Sequence, residues 1–212
     1  MLFVAAIAVA YLLGSIPFGY ILVRAFRGED VRLSGSGNIG ATNVARKAPL
    51  LGALTLILDA TKGFVAVFIG FEVGLYASHT RNQTVQPITL AAILGIFVIL
   101  GHVFPVWLKF RGGKGVATSA GVFVALAPKA LVIAVLIFAA VVAVFRYVSL
   151  GSIVAVGLFP LIAHLARDYH NSAPLLAAMC IIAALVIAKH EGNIRRLFNG
   201  TEHRFEFKRS RA

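Results

Sequence analysis

Arg32-Leu33-Ser34-Gly35-Ser36-Gly37-Asn38-Ile39-Gly40-Ala41-Thr42-Asn43-Val44-Ala45-Arg46 is a polar, glycine-studded stretch set between two apolar runs, residues 2–23 and 48–71. That contrast decides the fold. Apolar runs of this length cross a bilayer as helices, and polar groups kept between them cost desolvation energy unless something satisfies them. Arginines at both ends, serine, asparagine and threonine between, and no acid make the stretch suited to an anion. Two segments of the same character follow: Gly101-His102-Val103-Phe104-Pro105 running on to Phe110-Arg111-Gly112-Gly113-Lys114-Gly115, and Lys189-His190-Glu191-Gly192-Asn193-Ile194-Arg195-Arg196. The function is expected where these three converge.

At 212 residues the chain reads as a single domain over 1–212, and its 59% hydrophobic content is too high for a soluble fold. The net charge of +12 does not make it a nucleic-acid binder, because the charges sit only between apolar runs. Membrane orientation and attraction to anionic headgroups or substrates explain it instead. Cys180 is the sole cysteine, so there is no intrachain disulfide and no thiolate cluster, and a buried structural cysteine is expected. The first run has no basic region ahead of it and reads as a permanent span rather than a cleaved signal.

Seven apolar segments stand out, at about 2–23, 48–71, 88–108, 114–127, 129–145, 149–166 and 173–189. They predict an all-α polytopic membrane protein of seven transmembrane helices, N-terminus outside and C-terminus cytoplasmic. Pro128 forbids merging 114–127 with 129–145, since proline removes a helix hydrogen bond and clashes with the preceding turn. Gly14-Ser15-Ile16-Pro17-Phe18-Gly19 predicts a break inside the first span, tolerated where the freed backbone faces protein or water. With seven spans and residues 24–47 inside, sixteen of the twenty Lys and Arg residues become cytoplasmic, as the positive-inside rule asks. Arg81, Lys129 and Arg167 fall outside, and Lys62 lies within the second segment. This parity puts all three polar motifs on one face. The tail after Gly200 reads as dispensable.

Gly35 to Gly40 spells GxGxxG, but a dinucleotide fingerprint needs a preceding strand and a βαβ unit, which the apolar helices exclude. What survives is backbone that can approach a ligand and cradle phosphate oxygens. Gly112-Gly113-Lys114-Gly115 lacks the Walker spacing, yet offers an ammonium and a helix start aimed the same way. His190 and Asn193 share a helix face if the helix continues through them. Lys189, Arg195 and Arg196 crowd His190 and are expected to keep it protonated. His102 is as readily structural as functional. Asp59 and Lys62 are three apart in an apolar segment and are either a packing ion pair or a functional pair. Glu191 and Glu202 read as partners for nearby arginines. No metal-ligand spacing, Ser-His-Asp set or cofactor motif is visible.

Taken together the motifs resemble the bacterial acyl-phosphate:glycerol-3-phosphate acyltransferase family. The likeness runs through Gly14-Ser15-Ile16-Pro17, Gly35 to Asn43 with Arg46, Asp59 with Lys62-Gly63, and His102 with Phe104-Pro105. It continues through Gly112-Gly113-Lys114-Gly115-Val116-Ala117-Thr118 and His190 with Asn193-Ile194, Arg196-Leu197, Gly200 and Glu202. The resemblance implies an inner-membrane enzyme that moves an acyl group from acyl phosphate to the 1-hydroxyl of glycerol 3-phosphate. Lysophosphatidic acid and phosphate would be released on the cytoplasmic face, as the first step of phospholipid synthesis. It implies Ser36, Arg46, Lys114, His190 and Asn193 as catalytic residues, and Gly35, Gly37, Asn38, Gly40, Thr42, Asn43, Gly112, Gly113 and Arg196 as substrate-binding. Both substrates carry phosphate, and a site rich in Arg, Lys and Gly fits them. No nucleic acid, metal, cofactor or obligate protein partner is implied. The rival reading, a transporter of a phosphorylated metabolite, calls for polar residues continuing across the bilayer and for similar halves; the outer halves here are nearly pure aliphatic and aromatic.

Overall fold

The computed structural model describes residues 1–80 and 85–205, and the described residues form helices and turns without a strand. Arg81, Lys208, Arg209 and Arg211, which enter the charge count above, lie outside them. The first apolar run becomes α1 (Leu2–Ser15) and α2 (Phe18–Arg27), broken at Ile16-Pro17 as the sequence predicts. Then come α3 (Ala41–Lys47), α4 (Pro49–Thr80), α5 (Pro87–Val103), α6 (Val116–Leu126), α7 (Pro128–Phe145), α8 (Val148–Leu165), α9 (Ala173–Ala188) and α10 (Glu191–Phe198). Prolines stand in the first turn of α4, α5, α7 and α9, where a missing N–H costs nothing. Pro128 therefore starts a helix, which is why 114–145 folds as two.

Five helical stretches are long and apolar enough to cross a membrane: Leu2–Arg27 across its break, α4, Pro87–Leu108, α7 and α8. A sixth requires α9 and α10 to be counted together across a 56° bend. The fourth sequence segment, 114–127, yields only the 11-residue α6, which at 1.5 Å per residue rises about 16 Å, roughly half the hydrocarbon thickness. Five to six spans plus one short apolar helix thus stand where seven spans, with 114–127 a short one, were expected.

α5 is the axle. It packs against α1, α4, α6 and α9, while α7 and α8 pair with each other at the side. In lipid no hydrophobic force drives helices together, so close packing of small residues must. A Cβ on Gly14 would strike the Val98 carbonyl and one on Gly101 the Tyr11 carbonyl, a reciprocal crossing of α1 and α5. Gly63 against Thr118 and Gly121 against Ala60 repeat the device between α4 and α6.

Two of the glycines make a matched test. Gly121→Ala drives a methyl into backbone, an overpacking cost of about 1–3 kcal/mol. Gly157→Ala on α8 meets only the Ile187 Cδ1 at 3.6 Å and gains roughly 0.5–1 kcal/mol of helix propensity. Thermal unfolding in detergent should show the first variant melting lower than the parent and the second melting level or higher. Equal midpoints for the two would refute this packing account.

Candidate active site

The first motif is a loop wound around one side chain. Asn43, buried on α3, donates through Nδ2 to the carbonyls of Val31 (3.2 Å), Ser34 (3.0 Å) and Asn38 (2.8 Å), and its Oδ1 accepts from the Ser36 N–H at 2.9 Å. Asn38 Oδ1 accepts from the Gly40 N–H at 2.8 Å, holding the entry to α3. Both amides listed by sequence as substrate-binding are thus engaged by the loop itself. Beneath them Val31, Ile39 and Val44 share a small core with Val23, Leu51 and, from the second motif, Leu108. Ser36, Thr42 and Arg46 are left exposed, with the Arg46 Nη1 3.5 Å from the point a Gly35 Cβ would occupy. Arg32 belongs elsewhere: Asp30 holds it at 2.6 Å and it stacks 4.9 Å over Tyr20.

The second motif doubles back on the end of α5. After a 3-10 turn at Val106–Leu108, Lys109 and Phe110 both take positive φ, 52° and 60°. Gly112 N–H then donates to the Val103 carbonyl at 3.2 Å and Gly113 N–H to the His102 carbonyl at 3.0 Å. No side chain fits here, since a Cβ on Gly112 would meet the His102 carbonyl and one on Gly113 the His102 ring. These two glycines, expected to bind substrate, are pressed against protein and deliver Lys114 to the mouth of the short α6.

The third motif does not continue α9. The chain bends by 56° and His190 becomes the residue before α10, so His190 and Asn193 are placed by the start of a second helix and not by a continued α9. His190 Nδ1 is 2.8 Å from the Val186 carbonyl, which fixes that nitrogen as the donor and leaves Nε2 its lone pair. Lys114 Nζ donates to Asn193 Oδ1, and Asn193 Nδ2 donates to Glu202 Oε1 at 2.6 Å. Glu202 also accepts from Ser149 Oγ at 2.8 Å and from Arg196 Nε at 2.7 Å. The arginine pairing of Glu202 was legible in the sequence, as was that of Glu191 with Arg195 at 2.6 Å. Ser149 was not, and no sequence signal marks it. Within the tail read as dispensable, residues 202–205 are engaged with the bundle: besides Glu202, Arg204 Nε donates to the Tyr147 hydroxyl at 3.1 Å and Phe205 N–H to the Arg146 carbonyl at 2.6 Å.

Burial pushes Lys114 down to about 8; Glu202 opposes the shift, and Arg196 and Arg46 add to it. Burial likewise pushes His190 down to about 4, against its bond to the Val186 carbonyl and helped by the Lys114 charge. The expected protonated His190 is therefore corrected: like charges disfavour an imidazolium, and so does a buried place. For Glu202, burial raises the carboxyl, but the bonds from Asn193, Ser149 and Arg196 together hold it below its usual value. The three motifs thus converge on Lys114, which lies within the field of Arg46, of Arg196 and of the ionised Glu202. Such a cluster retains a positive excess for a phosphate.

Comparison with known proteins agrees over almost the whole chain. Residues 4–200 match the family profile described as glycerol-3-phosphate acyltransferase. A glycerol-3-phosphate acyltransferase of Trichlorobacter lovleyi is 47% identical over 94% of this chain and 96% of its own; one of Staphylococcus aureus is 38% identical over 98% and 100%. The crystal structure of PlsY, an integral membrane glycerol 3-phosphate acyltransferase, in its glycerol 3-phosphate form superposes with a TM-score of 0.82 at 37% identity, covering 96% of each chain. Its lysophosphatidic acid form gives 0.80 at 35%, covering 96% of this chain and 95% of that one. On this sequence match and this shared fold, the chain belongs to the glycerol-3-phosphate acyltransferase family of integral membrane proteins.

Proposed function

We propose that this single-domain membrane enzyme transfers an acyl group from acyl phosphate to the 1-hydroxyl of glycerol 3-phosphate. Lysophosphatidic acid and inorganic phosphate leave on the cytoplasmic face of a bacterial inner membrane. The observation that carries the reading is the convergence of Arg46, Arg196 and Glu202 on Lys114, with Glu202 bonded to Arg196, an arrangement with positive charge to spare for phosphate. The relatives named above support the glycerol 3-phosphate half, one of their structures being a glycerol 3-phosphate form and another a lysophosphatidic acid form. The acyl phosphate half rests on the donor being an activated anhydride, which the substrate hydroxyl can attack directly without an acyl-enzyme.

In the proposed step the 1-hydroxyl oxygen attacks the acyl carbonyl, the carbonyl–phosphate C–O bond breaks, and phosphate departs with the bonding pair. The hydroxyl proton passes to a phosphate oxygen of the donor. His190 is too weak a base to take it at a value of about 4, but Nε2 can accept a hydrogen bond from the hydroxyl and orient it. Ser36 and the Asn193-held Lys114 position the glycerol phosphate, and Gly35, Gly37, Gly40 and Thr42 line its approach. Proximity of this kind is worth on the order of 7–11 kcal/mol. The seven-span topology, with the N-terminus outside, completes the reading, with α6 counted as the short span.

Three outcomes test it. A detergent assay should show turnover with synthetic acyl phosphate and none with acyl-CoA or acyl carrier protein donors, and acyl phosphate alone should leave no covalent acyl group on the protein. A stable acylated Ser36, or ping-pong kinetics, would overturn direct transfer.

Arg46→Ala and Lys114→Ala each remove a charge-assisted hydrogen bond worth ~1.5–3 kcal/mol, so kcat/KM for glycerol 3-phosphate should drop roughly tenfold or more. Because the ammonium form of Lys114 is lost above about 8, kcat/KM of the parent should fall as pH rises through that value. Lys114→Arg, charged throughout, should lose that limb. A parent profile that stays flat well above it would remove Lys114 from the phosphate.

For topology, His203→Cys in a Cys180→Ala background should resist a membrane-impermeant thiol reagent in sealed cells. Labelling from outside would sink the proposed orientation.

A further inference from the structure

His102 is the last buried polar residue of α5, and it touches both the intramembrane ion pair and the glycine turn. On one edge its Nδ1 lies 3.5 Å from Asp59 Oδ1, which also holds Lys62 Nζ at 2.7 Å. Lys62 Nζ in turn donates to the Ile16 carbonyl at 2.9 Å, the group set free by the break between α1 and α2. On its other edge the ring fills the space where a Gly113 side chain would begin, with Nε2, Cε1 and Cδ2 all in the way. Its own carbonyl accepts the Gly113 N–H at 3.0 Å. Asp59, Lys62 and His102 are each at most 4% exposed, so this linkage has no route of adjustment through solvent.

The backbone of Gly113 does not itself demand glycine. Its φ is not among the positive values that Gly35, Gly37 and Gly115 adopt, so an alanine there is conformationally ordinary. The His102 ring is what excludes the methyl. Lys114 follows directly, and its ammonium must reach Asn193 Oδ1 across from α10. A turn held by a ring, and a ring faced by a carboxylate, set where that ammonium stands.

We propose that His102 is a positioning residue for Lys114: the buried ring, with Asp59 facing it at 3.5 Å, fixes Gly113, and the turn so held aims the lysine at the phosphate. Resting on the reading of Lys114 as a phosphate ligand, this adds a residue that touches no substrate. Ring removal then acts on glycerol 3-phosphate affinity through Lys114, whereas a packing residue would act on stability alone.

The test is a set of paired substitutions read by kcat, by KM for glycerol 3-phosphate and by thermal midpoint in detergent. His102→Asn keeps a polar group for Asp59 while withdrawing the ring from Gly113, and is the variant expected to fold. Gly113→Ala alone should raise KM about tenfold or more, the methyl displacing turn or ring. Adding His102→Asn should recover part of that loss, leaving the double variant with a lower KM than Gly113→Ala. His102→Asn alone should raise KM several-fold with little change in midpoint. In a Lys114→Ala background it should change KM no further. The proposal is overturned if the losses of His102→Asn and Gly113→Ala simply multiply, or if His102→Asn lowers the midpoint and leaves KM unmoved. A Lys114→Ala enzyme with normal KM would instead sink the reading of the site, a result separable from the His102–Gly113 coupling, which the midpoints of the same proteins also report.

Discussion

Two charges buried in an apolar bundle, Asp59 and Lys62, hold the catalytic end of this protein together. Taking either out of water is expensive, and their 2.7 Å contact offsets that cost only while both remain. Removing one partner of such a pair typically costs on the order of 3–5 kcal/mol. The pair does more than neutralise itself. Through Lys62 it supplies the donor that the broken first span needs at Ile16, and through Asp59 it faces the end of α5. A break inside a span is tolerated only when its freed backbone finds partners; the Ile16 carbonyl accepts from the Phe18 N–H at 3.2 Å as well as from Lys62, so α4 adds a second, cross-helix tie to the shape of α1 and α2. The first motif hangs from α2 and the second from α5. Both are therefore tied to one ion pair.

Glu202 plays the matching role on the water side. A cluster of Lys114, Arg46 and Arg196 without an anion would repel itself, and in a half-buried place the repulsion is poorly screened. One carboxylate among them, bonded three ways, lowers that repulsion and fixes Asn193 and Arg196 in direction. It does not cancel the charge. Lys114 at about 8 records its burial first and these neighbouring charges second: it is still protonated at neutral pH, and a phosphate beside it would favour that charge. Binding energy and preorganisation come from the same imbalance.

The parts of this fold legible in the sequence are those written in local chemistry. Apolar runs gave the helix positions to within a few residues except at the far end of α4, which extends to Thr80; Pro128 marked a turn and Pro17 a break because proline acts on its own backbone. The bend at Lys189-His190 was not legible, since nothing in that stretch breaks a helix and the change of direction depends on what α10 packs against. Nor was the tail after Gly200, whose polar, short sequence looks solvated until Glu202 is seen under Ser149 and Asn193. For Asp59 and Lys62 the residue pair was plain and its role was not: spacing on one helix cannot show that the lysine reaches a carbonyl on another.

Among the site residues, the amides separate from the charges for a physical reason. An asparagine side chain has a limited set of hydrogen bonds to give. In Asn43 these go to three carbonyls and an N–H of its own loop, and in Asn193 to Lys114 and Glu202. Asn43 has no N–H left for a ligand, whereas Asn193 keeps one N–H and one lone pair beyond these two bonds. Cations differ, because a guanidinium or ammonium held by one carboxylate keeps both charge and donors for a second anion. In the proposed reading, substrate contact falls to the hydroxyls of Ser36 and Thr42, to Arg46 and Lys114, and to backbone that the glycines leave bare. A site of that kind selects for phosphate by field and geometry and asks little of the rest of the molecule, which suits a ligand whose other end is lipid.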